Sequence, residues 1–155
     1  MQSEAQKQYE ELRKRFNLPD FAEIDKEFEV SDLDKTHFLL RTIIRRIADK
    51  LDFYSTMLEE ILQPDTSNLY AMHETRFFDQ KEKNKMYDLY SRIMAFNRKS
   101  IEISLNNSEK EGADFIKSVA QEWKIIKNEL IPYVKKMKDS WKIEVDIKED
   151  LRYFG

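Results

Sequence analysis

Two segments of this 155-residue chain carry large apolar residues at alternating intervals of three and four positions. Such spacing places one continuous apolar stripe along each of two long helices, and each stripe has to be buried against other helices. We therefore predict an all-α protein. The first stripe consists of Leu40, Ile44, Ile47, Leu51, Tyr54, Leu58 and Ile61, and the second of Ile116, Val119, Trp123, Ile126, Leu130, Tyr133 and Met137.

Polar caps are expected to set the helix boundaries, because the sequence contains only two glycines and three prolines. A first helix is predicted over residues 3–16, and a short second helix, capped by Asn17, carries Phe21, Ile24 and Phe28. Three long helices are predicted over residues 32–63, 79–105 and 108–142. The side-chain pairs expected to begin them are Ser31 with Asp34, Asp79 with Glu82, and Ser108 with Glu111.

These helices predict an up-and-down helical bundle of three long helices plus a shorter N-terminal helix pair. The bundle is expected to form a single domain over residues 1–142. Residues 143–155 are interpreted as an extended C-terminal tail. Residues 64–78 have no clear period, so we interpret them as a long connection between two helices.

The composition narrows the class of protein. Cysteine is absent, which removes disulfides, thiolate metal sites and cysteine nucleophiles and fits a reducing compartment. The 27 Lys and Arg residues nearly balance 30 Asp and Glu residues, so we expect no global attraction to nucleic acid or to a membrane. No apolar run is long enough to cross a bilayer, and the first residues do not resemble a signal peptide. We predict a cytoplasmic protein without a membrane role.

No stretch of the sequence carries a catalytic signature. Glycine-rich phosphate loops and the Gly-x-Ser-x-Gly elbow do not occur, and neither does the Glu-x-x-His pair of di-iron bundles. The sequence therefore predicts no catalytic residue, no metal ligand set and no cofactor, and it does not identify a family.

The 64–78 connection is the best candidate for a localised site, because it combines titratable and aromatic side chains between two rigid helices. The candidate residues are Tyr70, His73, Glu74 and Arg76. A small-molecule or metal-dependent enzyme centred on them is one alternative. The other, which the sequence favours, is that these side chains only pack the connection onto the end of the bundle.

Four cations lie within ten residues of the first long helix, opposed there only by Asp49: Arg41, Arg45, Arg46 and Lys50. They are the candidate nucleic-acid-binding residues, because such a cluster could contact phosphates. The alternative is that acidic residues between Glu23 and Glu29 pair with these cations within the chain. Five lysines of the last helix share a sector of roughly 80°, which we interpret as a solvated helix face. These are Lys124, Lys127, Lys135, Lys138 and Lys142.

Aromatic residues near the C-terminus are the third candidate. Trp141, Tyr153 and Phe154 either pack on their own bundle or anchor a partner, as buried aromatic residues do in interfaces. Taken together, these features favour a non-enzymatic helical interaction module that acts through protein–protein contacts, including self-association. Its expected partner is another protein or a second copy of the chain, and a nucleic-acid-binding accessory protein is the alternative.

Overall fold

A computed structural model describes residues 2–34 and 37–143 of the chain. Over these residues the structure is all-α, with no strand, which confirms the predicted fold class. No helix in this part of the chain is long and apolar enough to cross a membrane. The six helices are α1 (Glu4–Phe16), α2 (Phe21–Phe28), α3 (Leu39–Leu62), α4 (Leu69–Thr75), α5 (Gln80–Asn106) and α6 (Glu109–Ser140).

The two apolar stripes are buried as predicted. Every member is buried except Tyr54 and Tyr133, which are half-buried. Two of the expected caps also form. Ser108 Oγ accepts a hydrogen bond from the Glu111 N–H at 3.2 Å, and Asp79 and Glu82 bond reciprocally, each carboxylate accepting from the other residue's N–H.

The beginning of α3 differs from the prediction. The helix starts at Leu39 and not at Asp32. The predicted Ser31 cap is not used there, because the Ser31 N–H donates to the carboxylate of Asp25 at 2.7 Å and Val30 is buried. These contacts tie the segment after α2 to α2 itself, so the helix begins later.

Two shorter features also correct the prediction. Asn17 does not cap α2; it ends α1 in the left-handed conformation (φ 55°), and its N–H donates to the carbonyl oxygen of Arg13. The connection over residues 64–78 contains the seven-residue helix α4, whose cap is Asn68: its side chain accepts from the N–H of Ala71.

The chain divides into two compact units, one of Met1–Phe53 with Met94–Lys124 and the other of Tyr54–Ile93 with Ile125–Gly155. The single-domain assignment over residues 1–142 stays a prediction. The predicted tail lies outside the described residues from position 144 onward.

In the first unit, aromatic contacts fix the N-terminal helices. Tyr9 packs edge-on against Phe21, with ring centroids 5.3 Å apart, and its hydroxyl donates to the carbonyl oxygen of Pro19 at 2.7 Å. Burial raises the pKa of Tyr9 above its usual range. Phe28 of α2 lies 5.3 Å from the ring of Trp123 in α6. The N-terminal pair is thus held by specific partners as well as by apolar burial.

In the second unit, ion pairs join α5 and α6. Lys136 binds the carboxylate of Glu82 at 2.8 Å, and Arg92 binds that of Glu129. Residue numbers rise along α5 as they fall along α6, so the two helices run antiparallel in this unit. All four charged groups are partly exposed, so the pairs set orientation more than they add stability.

Candidate functional site

The first unit contains an open groove with a volume of about 740 Å³. Side chains of α1, of residues 37–48, of the end of α5 and of the beginning of α6 line it. Its apolar lining includes Leu40, Ile44 and Ile103, all buried, so part of the inner surface of the groove is apolar. A volume of this size is typical of a binding cleft.

Gly112 lets α3 and α6 approach closely beside this groove. A Cβ atom at Gly112 would lie 3.1 Å from Cδ1 of Ile44, which is tighter than ordinary van der Waals contact. Because glycine costs helix stability in an interior position, its presence in α6 is explained here by packing.

Two large apolar side chains that line the groove remain exposed to solvent. Phe38 is 60% exposed and Ile101 is 48% exposed. Together with the buried lining they give the groove a mixed character, apolar inside and partly apolar at its edge. Such a surface gains free energy when an apolar partner covers it.

Arg41 and Arg45 bring positive charge to the same groove. They lie one helical turn apart on α3, where like charges repel each other. The guanidinium of Arg41 lies over the ring of Phe38, 4.9 Å from its centroid. Within residues 2–34 and 37–143, neither arginine forms an ion pair with a carboxylate.

Other charges line the groove as well. Arg15 of α1 lies 3.7 Å from the carboxylate of Glu109, both groups being largely exposed. Glu11 and the exposed His37 also line it. Of the three arginines at the groove, Arg41 and Arg45 keep their hydrogen-bonding capacity for an external anion. Guanidinium groups bind carboxylates and phosphates through two parallel hydrogen bonds.

The remaining two predicted cations are engaged inside the first unit. Arg46 binds both carboxylate oxygens of Asp32, at 3.2 and 3.3 Å, and donates to the carbonyl oxygen of Glu29 at 2.9 Å. Lys50 donates to the carbonyl oxygen of Glu27 and lies over the ring of Trp123 at 5.6 Å. Half of the basic cluster is therefore bound within the first unit, by the carboxylate of Asp32, which lies outside the predicted 23–29 stretch, and by the backbone carbonyl oxygens of Glu27 and Glu29.

The candidate residues of the 64–78 connection lie on or beside α4, in the second unit. His73 is 3% exposed, and its Nε2 donates to the carbonyl oxygen of Ser140 at 3.0 Å. Its Nδ1 is buried and has no hydrogen-bond partner in the described part of the chain. Arg76 is exposed and follows the last residue of α4.

The other side chains of α4 bind the ends of neighbouring helices. The hydroxyl of Tyr70 donates to Glu60 at 2.7 Å, which raises the pKa of Tyr70. The hydroxyl of Thr75 donates to the carbonyl oxygen of Ile61 at 2.8 Å. The last carbonyls of a helix lack partners within that helix, so α4 supplies partners near the ends of α3 and α6.

Trp141, the candidate anchor, contacts this same cluster. Its ring stacks on His73 with centroids 4.0 Å apart, and its Nε1 donates to Glu74 at 3.0 Å, while 49% of the residue stays exposed. The structure thus brings together residues of two separate predictions. Tyr153 and Phe154 lie outside the described residues.

Over the described ranges, no three His, Asp or Glu side chains are grouped closely enough to hold a metal ion. The sequence matches no family model, no curated protein and no solved structure. The site assignments therefore depend on the geometry of this chain alone.

Arg15, Phe38 and Ile101 were not predicted to share a site, because they come from three different segments. The sequence does divide the basic cluster into two pairs, since Arg41 and Arg45 are four residues apart, as are Arg46 and Lys50. At 100° per residue, the second pair is rotated away from the first.

Proposed function

We propose that this protein is a non-enzymatic interaction module and that the groove of its first unit is the surface through which it binds another protein chain. The proposal depends on one observation: Arg41 and Arg45 stand beside an apolar-lined groove without carboxylate partners in the described part of the chain. A partner that supplies carboxylates and apolar side chains would relieve the charge repulsion and cover Phe38 and Ile101 together.

The fold that we propose for this function is the up-and-down bundle of α3, α5 and α6 with the N-terminal pair α1 and α2. The charge-rich, cysteine-free composition supports an assignment to the cytoplasm, and the partner is an unidentified protein or a second copy of this chain.

Nucleic-acid binding is supported less well by the same residues. Arg46 and Lys50 are occupied by Asp32 and by backbone carbonyls of Glu29 and Glu27, so a continuous basic surface is not available. Phosphates recur at every step of a nucleic-acid backbone, so some of them would lie against Glu11 and Glu109, which also line the groove, whereas a protein partner can place its carboxylates beside the arginines alone.

A peptide-display selection against the full chain tests the proposal without a known partner. Selected peptides should bind the double variant Arg41→Gln/Arg45→Gln about tenfold or more weakly than the parent chain. A tenfold loss of affinity corresponds to about 1.4 kcal/mol of binding free energy. The matched control is Lys81→Gln/Lys85→Gln, which removes two exposed cations with the same spacing from α5 and should leave binding unchanged.

Failure to select any peptide, or equal binding to both double variants, would contradict the proposal. A single-stranded oligonucleotide is tested in parallel at low and high salt. If it binds in a steeply salt-dependent way that only Arg41→Gln/Arg45→Gln abolishes, nucleic-acid binding replaces the protein-interaction assignment.

A further inference from the structure

Helices of the first unit line the groove with regularly spaced side chains. In α1 the lining residues are Gln8, Glu11, Leu12 and Arg15, at intervals of three and four positions. Residues 40–48 of α3 line it with the same spacing. Residues so spaced share one face of a helix, so α1 and α3 each present a face over about two turns. Rows of this kind form the ridges between which the side chains of another helix pack.

This lining determines the conformation of the occupant that fits. The structure contains no strand within residues 2–34 and 37–143, so the groove offers no sheet edge to an extended peptide. An amphipathic helix, in contrast, packs its own rows of side chains between those of the groove, with apolar anchors at i, i+4 and i+7. Such anchors would contact the buried Ile44 and Ile103 and cover the exposed Phe38.

The groove presents opposite charges on two different helices. Arg41 and Arg45, on α3, lie about one turn apart. Glu11, on α1, forms no ion pair within the described ranges, just as these two arginines form none. Glu109 of α6 differs from Glu11, because Arg15 lies 3.7 Å from its carboxylate. A complementary occupant is therefore acidic where it faces α3 and basic where it faces Glu11.

We propose that the groove binds an amphipathic helix of another protein. This helix carries two carboxylates one turn apart opposite Arg41 and Arg45, an apolar stripe beside them, and a Lys or Arg opposite Glu11. The inference rests on the proposed function and names the class of partner that the same groove accepts. Turning the helix end for end exchanges the two edges of its stripe and brings its carboxylates to Glu11, so the charges also select one direction of binding.

Two displayed peptide libraries of equal diversity test the conformation of the occupant against the full chain. One is built on an Ala-rich helical scaffold, and the other on a Gly-rich scaffold with a central Pro. We expect binders from the helical library alone, enriched in two acidic residues three or four positions apart and in a basic residue across the apolar stripe. A Pro placed at the centre of a selected peptide should weaken binding by about tenfold or more, because it breaks the helix.

Charge reversal tests the arrangement of the charges. Arg41→Glu/Arg45→Glu should weaken a selected peptide by about tenfold or more, and replacing the two acidic residues of the peptide by Lys should restore most of its affinity. Glu11→Lys should weaken the peptide by about threefold or more, with recovery when the basic residue of the peptide becomes Glu. The control is Glu23→Lys, an exposed glutamate of α2 outside the groove, which should leave binding unchanged.

Binders from the Gly-rich library, or affinities that the central Pro or Glu11→Lys leaves unchanged, would overturn the inference. A dimer of the parent chain that Arg41→Glu/Arg45→Glu converts to a monomer in light scattering would also overturn it, since a second copy then occupies the groove. The proposed function is measured separately, by the loss of peptide binding in Arg41→Gln/Arg45→Gln. If flexible peptides depend on these arginines, the inference fails and the function stands. If no peptide from either library depends on them, both fail.

Discussion

The Nε2 of His73 donates a hydrogen bond to the carbonyl oxygen of Ser140, the last residue of α6. This contact joins a short helix in the middle of the chain to the end of its longest helix. The imidazole ring also stacks on Trp141, and its centroid lies 5.2 Å from the centroid of the Phe77 ring. A residue that sequence analysis singled out as a site candidate therefore has a defined packing role.

We expect His73→Ala to lower the free energy of unfolding by about 2 kcal/mol, because it removes this hydrogen bond and leaves a cavity under Trp141. Urea denaturation of the full chain measures the effect. The control is His37→Ala, in an exposed turn, which should change stability by less than about 0.5 kcal/mol. Equal effects of the two substitutions would show that α4 is not held through His73.

The second prediction concerns the indole of Trp123, whose Nε1 donates to the carboxylate of Glu27 at 2.7 Å. Glu27→Ala should destabilise the protein by about 1–2 kcal/mol, because a mostly buried donor then loses this acceptor. Glu27→Gln keeps an acceptor oxygen and should cost less. The exposed Glu23→Ala serves as the control in the same denaturation series. A loss with Glu27→Gln as large as with Glu27→Ala would argue against the hydrogen bond.

The third prediction separates the arginines by their effect on stability. Arg46→Gln should lower the free energy of unfolding by about 0.5–1 kcal/mol, since it removes the pair with Asp32, which is partly exposed. Arg41→Gln and Arg45→Gln should each stay within about 0.5 kcal/mol of the parent chain, because no carboxylate among the described residues pairs with them. Thermal unfolding at low salt measures all three. A large loss with Arg45→Gln would indicate a structural role that the groove assignment does not include.

The fourth prediction is a loss of stability in alkali that depends on Tyr9. Its pKa is raised by burial, so above about pH 10 the unfolded chain releases the phenolic proton before the folded chain does. The folded state then binds more protons, and stability falls as the pH rises, whereas below about pH 10 this contribution is constant and fully present. Tyr9→Phe should lose less stability between pH 9.5 and pH 11. Its free energy of unfolding should fall less steeply with pH, by a slope that corresponds to roughly one proton.

Denaturation at a series of pH values measures that slope. Tyr9→Phe should also cost about 1 kcal/mol at pH 7, because the hydrogen bond to Pro19 is lost. The exposed Tyr87→Phe is the control and should follow the parent chain at every pH. The prediction fails if Tyr9→Phe and the parent chain decline in parallel.

Much of the helical structure could be predicted from the sequence, because long apolar stripes report burial directly. The predicted second stripe, from Ile116 to Met137, is buried almost throughout. The beginning of α3 could not be predicted, because the bond from Ser31 to Asp25 competes with a local cap that is equally plausible in the sequence. Helix α4 was missed since seven residues are too few to show a period.

The candidate site was predicted less completely than the fold. The charges of Arg41 and Arg45 could be read from the sequence, but their lack of a carboxylate partner within the described ranges depends on where distant segments lie. Arg15 and Ile101 reach the groove from α1 and α5, and no local pattern links those positions to α3. The stacking of Trp141 on His73 joins residues 68 positions apart, beyond any helical period.

The position of α4 determines where foreign sequence can be inserted in the connection. Residues 65–67 are exposed and bond mainly to one another, through Asp65 and Ser67. An epitope tag placed after Thr66 should therefore leave folding intact. The same tag placed after Met72 would separate Tyr70 from His73 and break the contacts of α4 with the ends of α3 and α6. The connection thus offers one permissive position for labelling the protein in cells, next to a segment that tolerates no change in length.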